Sequence, residues 1–215
     1  MAFSLNQFVF LLQGTFWTIV LSLIGFIGGG IIGMVIALMR VSRWRVLNWI
    51  AASYVHVVQG IPLPVLMFLS YFGLAITGVD VPAIVAAGLS MTIFAAAFLG
   101  EIWRGSIQAV PRTQWEAADS LALSGFQKMK DVVLPQAVRL SIPPTIGFMV
   151  QIVKNTSYSV VIGFIELTQS GKIVNNAIFE PFLVFTIVGA IYFSLCSPLS
   201  HASRRLEARL RARGA

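Results

Sequence analysis

Charge is scarce in this chain: 11% of its 215 residues are Asp, Glu, Lys or Arg, against about 25% in soluble globular domains. Too few ionic side chains remain to cover a water-facing surface, which excludes an ordinary soluble domain. A single cysteine, Cys196, excludes an internal disulfide framework, and one cysteine with two histidines does not make a structural zinc site. There is no phosphate loop of the form G-x-x-x-x-G-K-S/T, no Ser/His/Asp arrangement and no paired catalytic carboxylate site. The chain is therefore expected to be no enzyme, to hold no metal or cofactor and to hydrolyse no ATP itself. Acidic residues are few, 8 against 15 Lys and Arg, for a net charge of +7. Nucleic acid is not the expected partner, because no basic module interleaved with aromatics accompanies that charge. In so apolar a chain, basic residues mark cytoplasmic loops and contact with anionic membrane lipid.

Hydrophobic residues make up 57% of the chain. A helix needs about 20 mostly apolar residues to span lipid, and five stretches qualify: Phe16 to Met39, Trp49 to Leu74, Val81 to Gly100, Ile142 to Ile165 and Pro181 to Leu199. The expected fold class is an all-α membrane protein, one domain over residues 1–215 with about five transmembrane helices. Thirteen of the fifteen basic residues follow spans one, three and five, and the positive-inside rule makes that side cytoplasmic. The N-terminus is then outside and the C-terminus inside. Met1 to Gln13 carries no charged side chain, unlike a signal peptide's basic start, so the first span is expected to stay in the membrane. The segment before it suits either a short interfacial helix or the frayed start of span one. Gly25, Gly29, Gly33 and Ala37 recur every four residues, a face on which another backbone can approach closely.

The longest connection, about 104–140, carries helical signals of its own. Thr113-Gln-Trp-Glu116 and Ser124-Gly-Phe-Gln127 both have the capping-box pattern. They predict short helices over Gln114 to Leu123 and Gly125 to Val133, the second stopped before Pro135, which lacks an N–H.

Glu116-Ala-Ala118, then Ala122, Val132, Leu134 and Pro135, resembles the EAA loop of permease subunits in binding-protein-dependent ABC importers, with Ala122 where that family has glycine. Gln59-Gly-Ile-Pro-Leu63 resembles its Arg-Gly-Thr-Pro-Leu segment, Glu101-Ile-Trp-Arg-Gly105 its Glu-Ile-x-Arg-Gly, and Lys154-Asn-Thr-Ser157 its Lys-Asp-Thr-Ser. Val161-Ile-Gly163 and Glu166-Leu-Thr168 follow in order, narrowing the resemblance to the polar amino acid subgroup. It implies a bacterial inner-membrane permease working with a second permease subunit, identical or homologous, and an extracytoplasmic solute-binding protein. Two cytoplasmic ATP-binding subunits would hold the ATP and Mg. The ATPase-coupling residues it implies are Glu116, Ala117, Ala118, Ala122, Leu123, Ser124, Gly125 and Phe126. Glu116 could equally serve only as a cap. Phe126 and Met129 are expected as apolar docking contacts.

An ionisable residue inside a span costs about 2.5–3.5 kcal/mol on insertion scales, so it faces a cavity or a partner. Gln151, Lys154, Asn155 and Tyr158 form a polar stripe in span four. A substrate pathway of Gln59, Gln151, Lys154, Asn155, Thr156 and Ser157 follows from it. Alternatively Lys154 pairs with a carboxylate or carbonyls of a neighbouring helix. His56 reads better as a hydrogen-bonded interior histidine than as a proton relay. Pro62 and Pro64 break span two beside Gln59, and Glu101 and Arg104 lie one turn apart. Pro62, Glu101 and Arg104 are gate candidates, the last two also an intrahelical or cross-helix pair. Arg204 to Arg213 forms a basic tail for anionic lipid or the ATPases, and Asp80, Glu166 and Glu180 are outside charges for a docking protein. The competing function, a stand-alone ion-coupled carrier or channel, accounts for the spans but not for the double-capped loop. A non-transporting scaffold is disfavoured by the cost of Lys154.

Overall fold

The computed structural model describes residues 3–214, and all regular structure among them is helical. Eight helical segments follow one another: α1 (Leu5–Val41), α2 (Arg45–Gly60), α3 (Leu63–Ile76), α4 (Ala83–Gln108), α5 (Arg112–Ser120), α6 (Gly125–Ile162), α7 (Leu167–Ile178) and α8 (Pro181–Gly214). Helices α1, α4 and α8 are each long and apolar enough to cross a membrane. The pairs α2 with α3 and α6 with α7, bent by 99° and 53°, bring the spans to five if each pair is one crossing. No separate interfacial helix precedes span one: Ser4 caps α1 in a capping box with Gln7, and the helix runs on for 37 residues.

The tightest packing is α1 against α4. Gly25, Gly29, Gly33 and Ala37 are all buried, as their spacing requires. A Cβ on Gly29 would lie 2.4 Å from that of Ala95 and 3.0 Å from backbone of the same helix, so glycine there is a condition of close approach. Around this seam Leu21, Leu63, Met67, Met91, Leu99, Phe148 and Ile152 form the main core.

Pro135 does not stop a helix. The chain is helical from Gly125 to Ile162, and a π-helical turn at Lys128–Val133 precedes the proline, with Leu134 N–H donating to the Met129 carbonyl five residues back. The wider turn shifts the hydrogen-bond register where an α-helix would set the ring against a carbonyl. Pro143 and Pro144 are also carried inside α6, and Ser203 Oγ on α8 donates to the Pro143 carbonyl at 2.8 Å. At Thr156 the helix tightens into a 3₁₀ run ending at Gly163 with φ +74°. The tail that begins at Arg204 is the uninterrupted continuation of α8.

Candidate functional site

The connection between α4 and α6 folds into a hairpin fixed from below. Trp115 and Met129 pack on Ile107, Val110, Val133 and Ala137 at the foot of α4 and α6. Trp115 Nε1 donates to the Val110 carbonyl at 3.3 Å, Gln136 Nε2 to Gln114 Oε1 at 3.2 Å, and Lys128 is ion-paired with Asp119. The Ser124 capping box forms, with Ser124 N–H donating to Gln127 Oε1 at 3.0 Å. The Thr113 box does not. Pro111 takes the N-cap position and α5 begins at Arg112, so Thr113 lies within the first turn and no side chain caps the helix. Glu116 is therefore no capping residue, and its carboxylate is exposed without a side-chain partner among the described residues.

Helix α5 ends at Ser120, short of the expected Leu123, because Ala122 adopts a left-handed conformation with φ +53°. Ala118 is 2% exposed, Leu123 half-buried, and Ala117, Ala122, Ser124 and Gly125 are exposed. Leu121 and Phe126, each 74% exposed, stand out at the corner. Met129, expected as a docking contact, belongs to the hairpin's own core. The signal that picks out Leu121 is its place before the turn, which the capping patterns obscured.

The second polar region surrounds the break between α2 and α3. Gln59, Pro62, Pro64, Gln151, Asn155 and Tyr158 border a cavity of about 440 Å³. Gln151 Nε2 donates to Asn155 Oδ1 at 2.9 Å, and Asn155 is 2% exposed. Lys154 does not share this cavity. It lines another of about 310 Å³, between α6 and α8, with Tyr192, Cys196, Ser200, His201 and Arg204. No carboxylate among the described residues lies within ion-pair distance of its ammonium, so the expected carboxylate partner is absent. Thr156 and Ser157 border neither cavity, since their hydroxyls donate back to the carbonyls of Val153 and Lys154, each at 2.8 Å. His56 is exposed on α2 without a hydrogen bond among the described residues, contrary to the interior role expected of it.

Glu101 and Arg104 are joined within α4 and also across helices. Arg104 Nε donates to one Glu101 oxygen at 2.8 Å and Arg40 Nε, from α1, to the other at 2.9 Å. Arg40 reaches on to Asn48 Oδ1 of α2 at 2.6 Å, and Asn48 Nδ2 returns a bond to the Arg40 carbonyl at 2.9 Å. Glu101 ties α4 to α1, and Arg40 carries the network on to α2.

A family model described as "Binding-protein-dependent transport system inner membrane component" matches residues 29–212. The chain belongs to this family. It is thereby a multi-pass protein of the bacterial inner membrane and a permease, a transport component. Among its relatives, the "Probable amino-acid ABC transporter permease protein YckA" of Bacillus subtilis is 32% identical over 194 residues, covering 90% of this chain and 86% of that protein. The "Probable glutamine ABC transporter permease protein GlnM" of the same organism is 32% identical over 205 residues, covering 95% of each. The crystal structure of an amino acid ABC transporter with histidines superposes with a TM-score of 0.89 at 31% identity, covering 97% of this chain and 100% of that one.

One buried group of this permease was misread from its sequence. Glu166, expected as an outside charge, is 0% exposed. It caps α7 by accepting from Thr168 N–H and Gln169 N–H, both at 2.9 Å, and it accepts from Tyr192 Oη of α8 at 2.8 Å and Thr18 Oγ1 of α1 at 3.4 Å. The legible signal was Glu166 immediately before a helical segment, where an acidic side chain satisfies free N–H groups. Asp80 and Glu180 remain exposed.

Proposed function

We propose that this permease is one of two transmembrane subunits, identical or homologous, of an ATP-driven importer of polar amino acids. The hairpin carries the assignment: an exposed carboxylate at Glu116, without a side-chain partner among the described residues, and apolar knobs at Leu121 and Phe126 are presented on a unit packed against the feet of α4 and α6. Such a unit seats in a groove of a cytoplasmic ATPase and passes its closure to the spans as a rigid body. The family and the relatives named as amino acid permeases support the substrate class.

In this arrangement ATP and Mg are held by two partner ATPases, and an extracytoplasmic binding protein delivers substrate to the outer face. The N-terminus lies outside and the C-terminus inside. Substrate passes the Gln59, Gln151 and Asn155 cavity and the Lys154 cavity, with Thr156 and Ser157 in the 3₁₀ run above them. Pro62 marks the break that moves. Glu101 and Arg104 hold the inner ends of three helices in register and act on the gate through that register.

The test is to purify the tagged chain from its native host and identify what accompanies it. An ATPase should be recovered with the unaltered chain and lost with Leu121→Asp and Phe126→Asp together. An intact, folded chain that retains no ATPase in several detergents overturns the assignment.

A further inference from the structure

Two neighbouring cavities open on either side of α6, and neither is bordered by a carboxylate. The first is neutral, offering Gln59, Gln151, Asn155 and Tyr158. The second is basic. Lys154 faces it from α6, and His201 and Arg204 from α8, where Cys196, Ser197 and Ser200 lie on the same face. Positions 196, 200, 201 and 204 fall within little more than two turns of one helical stripe, so Arg204 and His201 extend the basic lining begun by Lys154 along α8 toward its basic end. Its volume of about 310 Å³ lies at the lower end of the roughly 300–1,000 Å³ typical of small-molecule pockets.

The carboxylate held by Tyr192, which borders this cavity, is not available to Lys154. Glu166 lies behind Tyr192 with four hydrogen bonds to its oxygens and no exposed surface. Asn155, the next residue in sequence, borders the neutral cavity and supplies no charge to Lys154. An ammonium without a counter-ion in a membrane segment is stabilised by an anion entering its cavity.

From these placements we propose that the track formed by Lys154, His201 and Arg204 selects amino acids of net negative charge, those with a carboxylate side chain, over cationic ones. This rests on the importer assignment. One substrate carboxylate pairs with Lys154, and the second is drawn along α8 by Arg204, past His201. A lysine or arginine side chain meets only like charge in the track.

The test uses the complex of this chain with its co-purified ATPase, without the binding protein, and measures equilibrium binding of radiolabelled L-glutamate, L-glutamine and L-arginine. Glutamate should bind more tightly than arginine and be displaced by L-aspartate. Lys154→Gln should weaken it about tenfold or more, as loss of a charge-assisted contact does. Asn155→Asp, which places a carboxylate in the neutral cavity across α6, should lower the ratio of glutamate to arginine affinity. If that variant does not assemble, Lys154→Gln alone decides. Arginine bound as tightly as glutamate, glutamate affinity unchanged in Lys154→Gln, or no glutamate binding at millimolar concentration overturns the proposal. So does an anionic phospholipid that co-purifies in the track and resists displacement by glutamate. ATP-driven uptake of a neutral or cationic amino acid by the intact system would leave the importer assignment standing while this proposal falls. Absence of ATP-driven uptake of any amino acid would fell the assignment itself.

Discussion

Ala122 holds φ at +53°, a conformation that costs an L-residue about 1–2 kcal/mol and glycine almost nothing. Ala122→Gly should stabilise the hairpin corner by about 0.5–1 kcal/mol after the entropy of the freer unfolded chain is subtracted. Hydrogen exchange at the Leu121 to Ser124 amides should then slow by about two- to fivefold. Glu116 stands differently: its carboxylate has no side-chain partner among the described residues. Glu116→Gln should leave the thermal midpoint unchanged while lowering the ATPase activity of the assembled complex, and an equal loss of both would return Glu116 to a structural role. At Glu166 the expectation reverses. Glu166→Ala removes the cap of α7, leaves two backbone N–H groups short of an acceptor and takes one partner from Tyr192 Oη, a destabilisation of about 1–3 kcal/mol measurable by thermal unfolding in detergent. At this scale the sequence was legible where a partner lay within a few residues, as in the Ser124 box. It was not legible where the partner came from another helix: Thr18 lies 148 residues from Glu166, and nothing local records that distance.

At the scale of the helix, the apolar lengths marked the spans and the four-residue glycine rhythm marked the buried face of α1. The prolines misled. Pro135 has the composition of a stop, yet the π-turn at Lys128–Val133 lets α6 run from hairpin to membrane without a joint. That continuity depends on hydrogen-bond register, which residue types alone do not specify. It makes α6 a lever joining the corner at Phe126 to Lys154. The α1–α4 seam holds the lever's neighbours in place and can be tested directly. Gly29→Val drives a branched side chain into Ala95 and should cost about 1–3 kcal/mol, with the thermal midpoint falling accordingly. Gly30→Ala, on the same turn but with only the Trp103 ring at 3.8 Å, should be neutral or stabilising. Equal losses at the two positions would mean that helix interruption, and not backbone proximity, sets the stability of α1.

At the scale of the whole molecule, orientation decides whether hairpin, cavities and track can act in one process. In the proposed orientation the side carrying thirteen basic residues is cytoplasmic, which would put the hairpin and the basic end of α8 where ATPases are available and the α3–α4 turn outside, where a binding protein would dock. The prediction is specific because the chain has a single cysteine, Cys196. In a Cys196→Ala background, a cysteine at Asp80 in that turn should react with a membrane-impermeant maleimide in intact spheroplasts. One at Arg112, at the start of α5, should react only after permeabilisation. Both positions are exposed, so lack of reaction would report the side of the membrane and not burial. The reverse pattern would put Glu116, Leu121 and Phe126 on the face that holds no ATP, and would direct the track of Lys154, His201 and Arg204 away from the cytoplasm. Import driven through the hairpin would then be physically impossible for this chain.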